Sequence, residues 1–194
     1  MSQTLNPLIT IYAEATPNPS SMKFVLNTML VEEEGRSVEF RRKEKAAASP
    51  LAMKLFEKNY VRGVFITSNF VTVSSDESVE WYEIIPELKD LIKHHIAAGE
   101  PVFNGEVMTE APPEQITGDI EQKIIALLDE YIRPAVEGDG GAIHFKSYDT
   151  GTVTVVLKGS CSGCPSSSLT LKAGIENLLR RMVPEVDEVI AESA

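Results

Sequence analysis

The only two cysteines of the 194-residue chain stand three positions apart, in Gly159-Ser160-Cys161-Ser162-Gly163-Cys164-Pro165-Ser166-Ser167. Two sulfurs at C-x-x-C spacing can share a metal centre or close into a redox disulfide, and the flanking Gly, Ser and Pro keep the loop free of bulk. A permanent structural disulfide is the weakest reading. So short a loop removes little entropy from the unfolded chain, and a reducing cytosol would open it. Zinc and the common iron–sulfur clusters take about four protein ligands, whereas one chain offers two thiols. A two-fold dimer that sets Cys161 and Cys164 beside their symmetry mates would complete a four-thiolate centre at an interface, free to release its metal when the subunits part.

Two competing chemistries stay open at this point. Strand, C-x-x-C and helix is also the local order of thioredoxin-like dithiol oxidoreductases. Against it, only 30 residues follow Cys164, and the preceding strand reads as half of an antiparallel hairpin rather than the parallel strand of a βαβ unit. A zinc-stabilised module would need further ligands. His144, the one histidine beyond the linker, does not complete a tetrahedron, and the adjacent His94 and His95 point different ways on a helix. All three histidines read as structural or surface residues.

The elements that position the thiols follow from periodicity. Ile120, Ile124, Leu127, Leu128, Tyr131 and Ile132 fall on one helical face, which Pro134 should strain or end. Gly138-Asp139-Gly140-Gly141 reads as a turn into a strand over 142–148, and Asp149-Thr150-Gly151 closes a hairpin onto 152–158. The cysteine loop comes next. Pro165 and its serines then open a helix with the stripe Leu171, Ile175, Leu178, Leu179 and Met182, followed by a last edge strand through Val186, Val189 and Ile190. The thiols should therefore sit at a helix N-terminus, where the dipole and free amides favour thiolate. Ser160 and Ser162 read as satisfying backbone amides, and Gly159 and Gly163 as relieving crowding around sulfur.

The first half reads as a second α+β unit. Strands are expected over 8–13 and 22–31, around the rigid loop Thr16-Pro17-Asn18-Pro19. Ser49-Pro50 has the form of an N-cap with proline at the first helical position. Strands over 61–67 and 70–73 flank a tight turn at Ser68-Asn69, and Trp81, Ile84, Ile85, Leu88, Leu91 and Ile92 form an amphipathic helix. Arg41, Arg42, Lys43 and Lys45 read as a solvated loop. Residues 99–118 hold Pro101, Pro112, Pro113, three glycines and four glutamates without partners, the composition of an extended acidic linker. The expected architecture is thus α+β / α/β: two small domains, 1–98 and 119–194, joined by an acidic Pro/Gly linker, the second a small mixed sheet with two helices.

Charge narrows the partners. The formal net charge is −11, and an acidic chain lacks the basic stripe that neutralises phosphates, so nucleic acid is not expected. No run of about 18 apolar residues marks a membrane span. The start Met-Ser-Gln-Thr-Leu-Asn-Pro has no basic or apolar leader region, which predicts a cytoplasmic, bacterial protein.

Residues 129–191 closely resemble the NifU-like C-terminal domain of Nfu iron–sulfur carriers. The motifs occur in order: Ile132-Arg133-Pro134, Glu137-Gly138-Asp139-Gly140-Gly141, the cysteine loop, and Pro184-Glu185-Val186. The first half is similar to the N-terminal domain that accompanies it, through Thr16-Pro17-Asn18-Pro19, Lys23-Phe24, Ser49-Pro50-Leu51-Ala52 and Val64-Phe65. The resemblance implies a non-enzymatic scaffold or carrier that binds a labile 4Fe-4S cluster, ahead of 2Fe-2S, between two subunits. It would receive the cluster from an upstream assembly scaffold and pass it to apo iron–sulfur proteins. Cys161 and Cys164 match the ligand positions. The cysteine-free first half would recognise partners.

Overall fold

A computed structural model describes residues 9–32, 36–76, 79–105, 118–162 and 165–193, the last of these in its side chains from Leu169 onward. The chain divides into two compact units, 1–109 and 110–194.

In the first unit, alternating apolar residues build a five-stranded antiparallel sheet in the order β1-β2-β5-β4-β3: β1 Ile11–Ala15, β2 Ser21–Leu26, β3 Ser37–Phe40, β4 Val61–Thr67 and β5 Phe70–Ser75. Successive side chains point to opposite faces, so Met22, Phe24, Leu26, Val64, Ile66, Val71 and Val73 share the face that packs on the helices α1 (Pro50–Leu55) and α2 (Trp81–Ala97). Leu51, Leu55, Leu88 and Ile92 close that core, each fully buried. The expected hairpin is present, with Ser68 at φ 32° in its turn.

Three features differ from the sequence reading. The second strand ends at Leu26 rather than 31, and the first runs to Ala15, with Leu8 outside the described residues. A four-residue strand, β3, was not expected; its partner β4 supplies the burial that four residues alone could not announce. Arg41–Lys45 are exposed as anticipated, but from Lys43 the chain winds into a 3-10 turn, Lys43–Ala48, which buries Ala46.

The start of the expected linker belongs to the first unit. Val102 and Phe103 pack against its core. Ser49 Oγ accepts from the Ala52 amide at 3.1 Å, as an N-cap should, and also donates to the Val102 carbonyl at 2.7 Å. His95 Nε2 lies 3.0 Å from the Pro101 carbonyl, and Asn104 N donates to Ala48 O at 2.8 Å. Glu100, read as unpaired, accepts from Lys54 Nζ at 2.6 Å. Residues 106–117, the remainder of that segment, lie outside the described residues.

The second unit has a three-stranded sheet, β6 (Gly141–Asp149), β7 (Thr152–Gly159) and β8 (Glu188–Ser193), in the order β6-β7-β8. β6 and β7 are antiparallel, joined at Thr150-Gly151, whose φ angles of 42° and 88° suit a two-residue hairpin turn. β8 lies parallel to β7. That corrects the topological argument made from the sequence: the strand before the cysteines is at once half of a hairpin and the first strand of a crossover. The crossover helix α5, Pro165–Met182, carries the chain back to β8.

α5 buries Ile175 and Leu179 against Val153, Val155, Leu157 and Val189, while Met182 of the expected stripe is exposed. Pro134 does not end the preceding helix. α3 (Asp119–Leu127) passes through a π-helical turn, Leu128–Ile132, into α4 (Arg133–Gly138). A proline ring clashes with the carbonyl four residues back. The wider turn gives that carbonyl room, so the helix continues and Val136 still reaches the core.

Candidate functional site

The far end of the β6–β7 ladder builds the site. Gly141 pairs with Gly159 in the last rung. Gly159 adopts φ 68°, a conformation that costs a side-chain-bearing residue, and turns the chain off β7 into a 3-10 turn, Ser160–Ser162. This turn is tied to the Asp139–Gly140 corner that precedes β6. Ser160 N donates to Gly140 O at 3.2 Å, and Ser160 Oγ donates to the Asp139 carbonyl. Ser162 Oγ donates to Gly159 O at 2.8 Å. Among the described residues both serine hydroxyls donate to backbone carbonyls.

Cys161 is drawn inward. It is 6% exposed and packs within the second core. Its Sγ lies over the α-carbon of Gly141, so close that a Cβ built at residue 141 would stand 2.8 Å from the sulfur and 2.6 Å from the Lys158 carbonyl. Ser160 Oγ is 3.9 Å from the same sulfur. The expectation of a surface-presented thiol at a helix N-terminus is thus altered for Cys161. It sits in the turn ahead of α5 with its sulfur buried. Cys164 and Gly163 lie outside the described residues.

The histidines fall where the sequence reading put them. His144 is half-buried on β6 opposite Val156. His94 is exposed, with Nδ1 2.6 Å from the Asp90 carbonyl, whereas His95 is buried, with Nε2 3.0 Å from the Pro101 carbonyl. Among the described residues, no three His, Cys, Asp or Glu side chains converge as a metal site. The residues whose part the sequence reading understated are Asp139, Gly140 and Gly141. They read as a turn; in the fold they provide both anchoring carbonyls and the floor beneath the sulfur. The available signal was a glycine run at one end of a hairpin and a Gly-Ser-Cys at the other.

Comparison with known proteins agrees with this architecture. Residues 11–99 match the family described as "Scaffold protein Nfu/NifU N terminal", and residues 124–190 match the "NifU-like domain". The "NifU-like protein C1709.19c" of Schizosaccharomyces pombe is 37% identical over 188 residues, covering 94% of this chain and 72% of its own length. The "NFU1 iron-sulfur cluster scaffold homolog, mitochondrial" of Drosophila willistoni is 43% identical over 181 residues, covering 92% of this chain. This chain spans 62% of that relative. A solution NMR structure of a NifU-like protein from Saccharomyces cerevisiae aligns at 31% identity over 51% of this chain and 87% of that one, with a TM-score of 0.47. The chain belongs to the Nfu/NifU family.

Proposed function

We propose that this chain is an iron–sulfur cluster scaffold and carrier. Cys161 and Cys164 of two copies would together hold a labile 4Fe-4S cluster at a homodimer interface, with a 2Fe-2S cluster as the lesser alternative. The observation that carries the reading is the location of the only two cysteines within the NifU-like match, with Cys161 held by a glycine corner at the end of the hairpin. The name of the Drosophila relative, an iron–sulfur cluster scaffold homolog, supports the same chemistry.

Delivery would run by ligand exchange with an apo iron–sulfur protein. An incoming cysteine thiol would lose its proton as its sulfur bonds iron and the bond from iron to Cys161 or Cys164 breaks, and the departing thiolate would take up a proton in turn; no electrons change hands. An upstream assembly scaffold would supply the cluster. The chain would not act as an enzyme. We further propose two domains, carried by 1–98 and 119–194, with residues 99–105 packed on the first as a strap; the two separate family matches and the two compact units support this division. The first, cysteine-free unit would recognise partners. The cytoplasmic, bacterial placement gains no support from relatives whose names are mitochondrial. No helix among the described residues is long and apolar enough to cross a membrane.

Anaerobic reconstitution with iron and sulfide tests the reading. Four iron and four sulfide per dimer in one size-exclusion peak, lost with Cys161→Ser or Cys164→Ser, are expected; a metal-free monomer would overturn it. A second reading, dithiol–disulfide oxidoreductase, is favoured by the parallel β7–α5–β8 crossover behind the C-x-x-C. Reduction of insulin disulfides by the metal-free chain would select it.

A further inference from the structure

A thiol that binds metal from outside must be able to leave the core, and in this chain Cys161 is inside it. We infer that Ser160 is a positioning residue that latches Cys161 in a sequestered, inward state and so sets how fast the thiol becomes available to a cluster. The inference rests on the cluster-binding reading and adds a controlled step to it.

Among the described residues, three hydrogen bonds make the latch. Ser160 is 2% exposed, and its amide and hydroxyl bond to the carbonyls of two consecutive residues, Gly140 and Asp139. These bonds fix the 3-10 turn against the glycine corner from outside the turn. Ser162 Oγ closes the turn from within by donating to Gly159 O. The sulfur then occupies the space above Gly141 that the missing side chain leaves open. The same Ser160 oxygen that bonds to Asp139 O lies 3.9 Å from Sγ, so moving the sulfur outward disturbs the atom that holds the latch.

The consequence is a two-state site. Latched, the thiol is buried and shielded from oxidants and alkylating reagents, whose attack follows exposure. Unlatched, the turn loosens and the sulfur can meet iron. The named anchors are single neutral hydrogen bonds, which suits a local opening far easier than global unfolding.

The test uses the full chain carrying Cys164→Ser, so that Cys161 is the sole thiol, and follows its alkylation by iodoacetamide. The expected result is slow reaction in the native chain relative to the same chain in urea. Adding Ser160→Ala should accelerate it about three- to tenfold, the population change that loss of one neutral hydrogen bond produces. Ser160→Thr keeps a hydroxyl and should stay near the parent rate. Val189→Ala loosens the same core without touching the latch, and should accelerate alkylation less than Ser160→Ala. The inference is overturned if native Cys161 reacts as fast as in urea, if Ser160→Ala leaves the rate unchanged, or if Val189→Ala matches it. In the chain with both cysteines, Ser160→Ala should take up iron and sulfide faster to the same final content; an unchanged loading rate would break the link to loading. Failure of every variant, the parent included, to take up iron would remove the cluster reading, while the alkylation rates would still decide the latch.

Discussion

Gly141 shows how little room the site leaves at the level of single atoms. A methyl group there would meet a backbone carbonyl at 2.6 Å and the Cys161 sulfur at 2.8 Å. The sulfur could rotate away, but the Lys158 carbonyl belongs to the ladder and cannot. Gly141→Ala should therefore destabilise the second unit by about 1–3 kcal/mol, the usual cost of overpacking. It should also displace Cys161 from its pocket. Thermal unfolding checks the first effect and the alkylation rate of Cys161 the second. A variant as stable as the parent, with the thiol still protected, would contradict the close approach. Ser160 and Gly141 act on the same sulfur from different sides, so their effects should not be additive.

At the scale of elements, the strap over 99–104 is held through His95. Burial pushes the imidazole below its ordinary value of 6.5, opposed by its bond to the Pro101 carbonyl and by the Glu100 carboxylate, with Lys54 adding to the depression. The Nε2–H donates to Pro101 O in the neutral ring, while Nδ1 lies 3.4 Å from Glu100 Oε2. Because the folded value is depressed, the unfolded chain takes up the proton first as the pH falls. The stability is complete above about 6.5 and is lost as the pH drops from there towards the folded value. Urea unfolding between pH 8 and pH 5, at about unit steps, should show the first unit weakening on the acid side. His95→Gln, which can still donate to Pro101 O, should flatten that slope. Glu87 and Glu100, both held below 4.5 chiefly by Lys58 and Lys54 respectively, enter only at lower pH. An unchanged slope in His95→Gln would assign the acid sensitivity elsewhere.

At the scale of the molecule, one chain contributes two thiols and the common clusters take about four ligands. Metal content and association should therefore move together. Stripping a reconstituted sample with an iron chelator should return the dimer to the mass of a single chain, read by light scattering on the eluting peak. A dimer that persists without metal would show that the association has its own protein interface. The acidity of the chain, −11 overall, works against close approach of two copies, and makes a metal-linked pair the simpler expectation.

Much of the fold was legible in the sequence because short-range rules govern it. Ser49-Pro50 announced α1, since an N-cap oxygen and a preset proline φ act within one turn. Thr150-Gly151 announced the β6–β7 hairpin, and the apolar periods of α2, α3 and α5 announced their buried faces. What the sequence determined by itself was therefore the two cysteines, their spacing, and the helix and hairpin that flank them. The tertiary structure alone decided how the thiol is held. A two-residue turn at Thr150-Gly151 counts down the ladder to set Ala142 opposite Gly159, but a bulge at Lys146, between Phe145 and Ser147, advances the register by one. Gly141 then faces Gly159, and the sulfur finds a gap instead of a methyl group. Lys146 bonds to Glu192 on β8, the strand that α5 brings back beside β7. No local pattern encodes that slip, because a bulge reflects packing between strands distant in sequence, and one residue of register exchanges every neighbour along the ladder.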